Sequence, residues 1–166
     1  DPDGVPVIDP IGIDGLSPEW GAPTAGNGMA MAAYLTSAID DAMAGKIAAV
    51  TTGPINKFAL KLAGIHFNGH TEILARRTGT RNYAMMLAGD RLRVVLATIH
   101  IPLRQVSTEL TMEGLAGIVM LTHESLKSRF GIPAPRIAVA GLNPHAGEEG
   151  LFGNEEETVI RPAIDR

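Results

Sequence analysis

The sequence contains no cysteine. That absence removes disulfide frameworks, thiolate metal sites and cysteine nucleophiles together, and it fits a reducing, cytoplasmic setting. No stretch reaches the roughly 18 consecutive apolar residues of a membrane helix, and Asp1-Pro2-Asp3-Gly4 is not a signal-peptide start. Charge is sparse: 19% of the 166 residues are charged, with a net charge of −4. The tightest basic cluster is Arg76, Arg77 and Arg81, interrupted by Thr and Gly. It reads as a solvated helix end, so no nucleic-acid partner is expected. Neither a G-x-x-x-x-G-K-[ST] phosphate loop nor a G-x-G-x-x-G dinucleotide fingerprint occurs. What is present is 45% hydrophobic residues, the usage of a folded body and not of a disordered tail.

The pattern along the chain is helices alternating with short apolar runs. Residues 1–26 are rich in proline and glycine and read as a connector, with a short strand at Val5–Ile8. Apolar residues at helical spacing predict a helix over Asn27–Ala44 with Asn27 as N-cap and Gly45 as stop. Ile47–Thr51 reads as an interior strand. Short helices follow at Asn56–Ala63 and Thr71–Arg77, then strands Tyr83–Leu87 and Arg93–Ile99, paired antiparallel across Gly89-Asp90. Leu115, Ile118, Val119, Leu121, Leu126 and Phe130 share one face of a helix spanning Thr111–Phe130. Arg136–Leu142 reads as another buried strand, and a helix starts at Asn154 with Glu155, Glu156 and Glu157 favouring its dipole. The expected architecture is layered α/β with a mixed sheet, residues 27–166 forming the α/β portion.

Ligands in such folds gather at loops leaving strand ends and entering helices. Thr51–Lys57 is one: Lys57 at a helix start presents an ammonium to an anion, or is an ordinary surface lysine. In Asn68-Gly69-His70-Thr71-Glu72, His70 and Thr71 sit at a helix start, suited to a phosphate or carboxylate, although Thr71 would equally serve as a cap. His66, one turn earlier, carries no distinguishing signal. His100, before Pro102, and His145, after Pro144, each follow an apolar run, and two imidazoles on stiff loops suit one divalent ion. A third ligand is required, for which Glu148, Glu149 and His123 are weak local candidates. Spacing alone leaves a structural role for the histidines open.

Four strings bear on that choice: Thr52-Gly53-Pro54-Ile55-Asn56-Lys57, Ala63 to Glu72 with its Gly69-His70-Thr71-Glu72 end, Ala97-Thr98-Ile99-His100-Ile101-Pro102-Leu103-Arg104, and Gly141-Leu142-Asn143-Pro144-His145-Ala146-Gly147-Glu148 followed by Gly153 and Glu155. In order and spacing they resemble the 4-hydroxythreonine-4-phosphate dehydrogenase family of vitamin B6 biosynthesis, across nearly the whole chain. The resemblance implies a dimeric, two-domain α/β/α subunit similar to isocitrate and isopropylmalate dehydrogenases, of which this chain would be a central fragment. Carried over residue by residue, it implies that His70 and Thr71 bind substrate and that His100 and His145 ligate the metal; Lys57, the catalytic candidate, would join His70 and Thr71 in holding the anionic end. The family's third ligand lies in a Tyr-His-Asp-Gln-Gly string that this sequence does not contain. The implied activity is oxidation of 4-phosphooxy-L-threonine and decarboxylation of the keto acid, using NAD or NADP without the Rossmann fingerprint. The implied metal is divalent, zinc first, with magnesium, manganese or cobalt admitted. Relatives acting on four-carbon sugar-acid phosphates or an aromatic dihydrodiol, and a non-catalytic metal- or anion-binding domain, are the competing expectations.

Overall fold

The computed structural model describes residues 4–5, 7–12, 20–67 and 69–166. They divide into two compact units, Asp1–Arg81 and Asn82–Arg166. The expected strand Val5–Ile8 includes Pro6, which lies outside the described residues; Val5, Val7 and Ile8 are exposed.

In the first unit, helix α1 spans Ala25–Met43. It begins earlier than expected, because Thr24 and not Asn27 is the N-cap. The Thr24 hydroxyl accepts from the Asn27 amide at 3.2 Å while the Asn27 side chain accepts from the Thr24 amide at 3.1 Å, a reciprocal capping box. Helix α2, Lys57–Leu62, is capped by Asn56, whose side chain accepts from the Ala59 amide at 2.9 Å. Helix α3 spans His70–Thr78, with Gly69 as N-cap. Leu35 and Ile39 of α1 meet Leu60 of α2 and Ile73 of α3, with Ile55, Ile65 and Phe67 packed around them. At Gly28 a Cβ would lie 2.0 Å from the Ala59 carbonyl oxygen, so α1 and α2 approach backbone to backbone there. The Arg77 guanidinium pairs with Asp40, Nε to Oδ1 at 2.7 Å, tying α3 to α1. Arg76 lies over the Phe67 ring at 5.4 Å. Arg76 and Arg77 are therefore exposed residues of a helix end with partners in this unit, and Arg81 is exposed just beyond it.

The second unit contains a hairpin of β1, Met86–Ala88, and β2, Arg93–Val95, antiparallel with Met86 opposite Val95. Both strands are shorter than the apolar runs that predict them. A 3₁₀ turn at Leu103–Gln105 leads into α4, Val106–Glu109, and then α5, Met112–Ser128, capped by Thr111, whose hydroxyl accepts from the Gly114 amide at 3.1 Å. The wide π turn Glu156–Ile160 runs into α6, Arg161–Ile164. Pro162 has no amide to give Thr158, and the Arg161 amide instead reaches the Glu156 carbonyl, which widens the turn. Leu115 and Ala116 of α5 pack on Ile160 and Ala163.

Two expected strands are not formed. Ile47–Thr51 and Arg136–Leu142 pair with nothing, and most of their residues are exposed. A strand needs a neighbouring ladder to satisfy its amides and carbonyls. Among the described residues the hairpin is the only sheet. The chain is mixed helix and strand, α/β in class, and no helix of the described residues is long and apolar enough to cross a membrane.

Candidate metal and anion sites

In the first unit the candidate anion-binding residues stand at helix starts. Lys57 is the first residue of α2 and is exposed; the Asn56 cap beside it has spent its side chain on the Ala59 amide. His70 and Thr71 open α3 and are half-buried. Thr71 is not the cap. That position belongs to Gly69, which has no side chain to offer the first-turn amides. Backbone amides at the positive end of a helix dipole can bind an anion, and Glu72 occupies the same turn. His66 is exposed in the loop before it.

In the second unit His100 and His145 are both exposed, and both have left-handed backbone, φ 58° and 53°. His145 sits in a turn over Pro144–Gly147 where Ala146, Glu148 and Glu149 also have positive φ. Left-handed backbone costs a non-glycine residue about 1–2 kcal/mol, so four such residues in five need their surroundings to hold them. Gly147 (φ 84°) could not be replaced within this turn, since a Cβ there would lie 2.6 Å from the Gly153 carbonyl oxygen.

The holding groups come from Glu155 and Glu156. One Glu156 carboxylate oxygen accepts the amides of Leu142 and Asn143, each at 2.7 Å. The Asn143 side-chain nitrogen donates to the other Glu156 oxygen at 2.9 Å and to Glu155 at 2.6 Å. Glu156 is 8% exposed. Hydrogen bonds from the Asn143 backbone and side chain, joined by Leu142, hold its carboxyl down to about 2 against the upward push of burial.

His145 Nδ1 lies 2.9 Å from a Glu148 carboxylate oxygen, and the ring stands edge-on to Phe152 with centroids 5.8 Å apart. An ionised carboxylate can only accept, so Nδ1 carries the hydrogen and Nε2 of the neutral ring keeps its lone pair. That is how metal-binding histidines are commonly oriented. Glu148 is thus a partner of His145, and His123 is half-buried on α5. Among the described residues, no three histidine or carboxylate side chains gather as a complete metal site.

The model of the pyridoxal phosphate biosynthetic protein PdxA family matches residues 3–166. The chain belongs to the PdxA family. Curated PdxA relatives named 4-hydroxythreonine-4-phosphate dehydrogenase include one from Desulfosudis oleivorans, 62% identical over 90% of this chain and 45% of its own length. Another, from Desulforapulum autotrophicum, is 58% identical over 88% of this chain and 43% of its own. A crystal structure of the Klebsiella pneumoniae 4-hydroxythreonine-4-phosphate dehydrogenase superposes with a TM-score of 0.78 at 44% identity, covering 91% of this chain and 45% of that one. The chain therefore spans about 45% of the length of the PdxA relatives it matches.

The PdxA match runs through all four loops and through Glu156. Reading the sequence passed over that residue by assigning the run Glu155–Glu157 to the helix dipole. The signal was there: Glu156 shares the buried face with Ile160 and Ala163, spaced i, i+4, i+7.

Proposed function

We propose that the protein carrying this sequence oxidises the hydroxyl of 4-phosphooxy-L-threonine with NAD or NADP and a divalent metal, and that the resulting keto acid loses carbon dioxide, in vitamin B6 biosynthesis. The observation that carries the reading is the His145–Glu148 pair, an imidazole oriented as for a metal, in a chain of the PdxA family. In this reading residues 27–166 carry the binding loops of a two-domain α/β/α subunit that works as a homodimer, the fold being like that of isocitrate dehydrogenases.

His100 and His145 would hold the ion. The donor chemistry fits, because a neutral imidazole with Nδ1 held by a carboxylate presents Nε2 as a ligand for zinc, cobalt or manganese. An ion held there would supply Lewis acidity to an oxygen of the substrate. Glu148 fixes the ring of His145 and makes it a stronger donor. His70 and Thr71 at the start of α3 bind the anionic end of the substrate, with the Lys57 ammonium adding charge, so that the substrate enters the reaction aligned. The residues that contact the nicotinamide are not assigned.

The test is NADH or NADPH formation with a panel of substrates: 4-phosphooxy-L-threonine, four-carbon sugar-acid phosphates and an aromatic dihydrodiol. Turnover of the first and loss of metal-dependent turnover in His100→Ala and His145→Ala are expected. Wild-type metal content in both variants, measured by elemental analysis, would defeat the assignment of ligands. Metal or phosphate binding without reduction of the nicotinamide by any substrate would defeat the dehydrogenase.

A further inference from the structure

Nothing about the metal reading requires Glu156, whose carboxylate is buried 14 residues along the chain from Leu142. Burying a carboxylate is unfavourable unless it is fully bonded, and a residue needed only to start a helix would leave it in water. Here the group faces into the loop that bears His145. It takes both consecutive amides, Leu142 and Asn143, on one oxygen and the Asn143 side chain on the other. Glu155 holds the second Asn143 hydrogen. The glycines of the loop make room for this clasp: a Cβ on Gly141 would come within 3.2 Å of one Glu156 oxygen, and one on Gly147 within 3.1 Å of the other. Immediately after the clasped residues comes Pro144, which stiffens the chain, and then His145 in its left-handed conformation. Among the described residues the only side-chain hydrogen bond on the His145 ring itself is with Glu148, which sets the tautomer but not where the backbone lies.

We infer that Glu156 is the positioning residue for His145, with Asn143 as its arm: the clasp fixes the backbone from which the imidazole is presented to the metal. This rests on the proposed role of His145 as a ligand. Glu156 touches neither metal nor substrate in this scheme. It acts through the Asn143–His145 backbone, and a ligand displaced by a fraction of an ångström is enough to weaken a metal site.

The experiment uses the protein carrying this sequence, titrated with Co²⁺ by calorimetry and followed by the visible ligand-field absorption of the ion, alongside amide hydrogen exchange without metal. Glu156→Gln keeps the shape but removes the charge and sets an amide nitrogen against that of Asn143. The expected result is a Co²⁺ Kd raised about 10–100-fold, the range for loss of groups that orient metal ligands. A changed absorption band and faster exchange at Leu142 and Asn143 should accompany it, while the helices remain intact by circular dichroism. A folded Glu156→Gln protein with the wild-type Kd and band overturns the inference. Should that variant fail to fold, Asn143→Ser removes only the side-chain arm and is judged by the same two readouts. His145→Ala separates the two ideas. If it abolishes Co²⁺ binding while the Glu156 and Asn143 variants bind normally, only the clasp is wrong; if it binds Co²⁺ like the wild type, the ligand assignment falls and the clasp's role falls with it.

Discussion

Single side chains decide how the His145 loop responds to pH. The Glu156 carboxyl titrates near 4.5 in a free chain and at about 2 in the fold, so the folded state favours its ionised form. The stability it adds is complete above about pH 4.5 and is lost as the pH falls from there toward 2. Thermal melts of the wild type and Glu156→Gln should therefore differ most near neutrality and converge as the pH falls through that window. A constant difference down to about pH 2 would mean that the charge is not what holds the loop. Glu148 makes a separate prediction. Replacing it with Gln leaves His145 free to adopt the other tautomer, and the metal affinity should fall by about 10-fold or more, the lower end for such partners, with little change in melting temperature because the pair is exposed. An unchanged affinity would show that the pair is incidental to metal binding.

The helices of the first unit can be probed by two substitutions with opposite volume changes. Gly28→Ala should by intrinsic propensity favour α1 by about 1 kcal/mol. Its Cβ would meet the Ala59 carbonyl at 2.0 Å, however, and a backbone oxygen cannot swing aside as a flexible side chain can. Overpacking of this kind costs about 1–3 kcal/mol or more, so the sign reverses and the melting temperature should drop. Leu60→Ala, at a fully buried position, should lose about 2–5 kcal/mol in a denaturant titration. A Gly28→Ala protein more stable than the wild type would show that α1 and α2 are not packed this closely. The same elements tell how much the sequence revealed. α1, α3 and α5 were legible within a few residues, because a helix satisfies its own backbone and leaves a 3.6-residue apolar stripe. The error at Asn27 came from weighing one cap at a time: Thr24 and Asn27 cap each other, and only the pair identifies the start. The role of Glu156 was hidden for a related reason, since three successive glutamates look alike in sequence while only one of them shares a face with Ile160 and Ala163.

Across the whole chain the unformed strands carry the lesson. Ile47–Thr51 and Arg136–Leu142 have the apolar composition of covered strands, yet a strand is completed by its neighbours, and composition cannot say whether those neighbours are at hand. In the second unit the consequence is an apolar groove of about 670 Å³, lined among others by Val94, Leu96, Leu115, Ile137, Val139 and Ile160. A groove lined by apolar side chains in this way can take up an apolar group. The 166-residue chain alone should therefore enhance the fluorescence of an apolar dye such as anilinonaphthalene sulfonate. Val94→Asp and Ile137→Asp, which place charge on the groove, should reduce that enhancement several-fold. Met43→Asp, at a side chain 62% exposed in the other unit, should leave it unchanged. Equal loss in all three variants would mean that the dye reports general loosening. Failure of the wild type to bind dye at all would mean that the groove is closed in solution, and that Arg136–Leu142 finds a ladder partner after all.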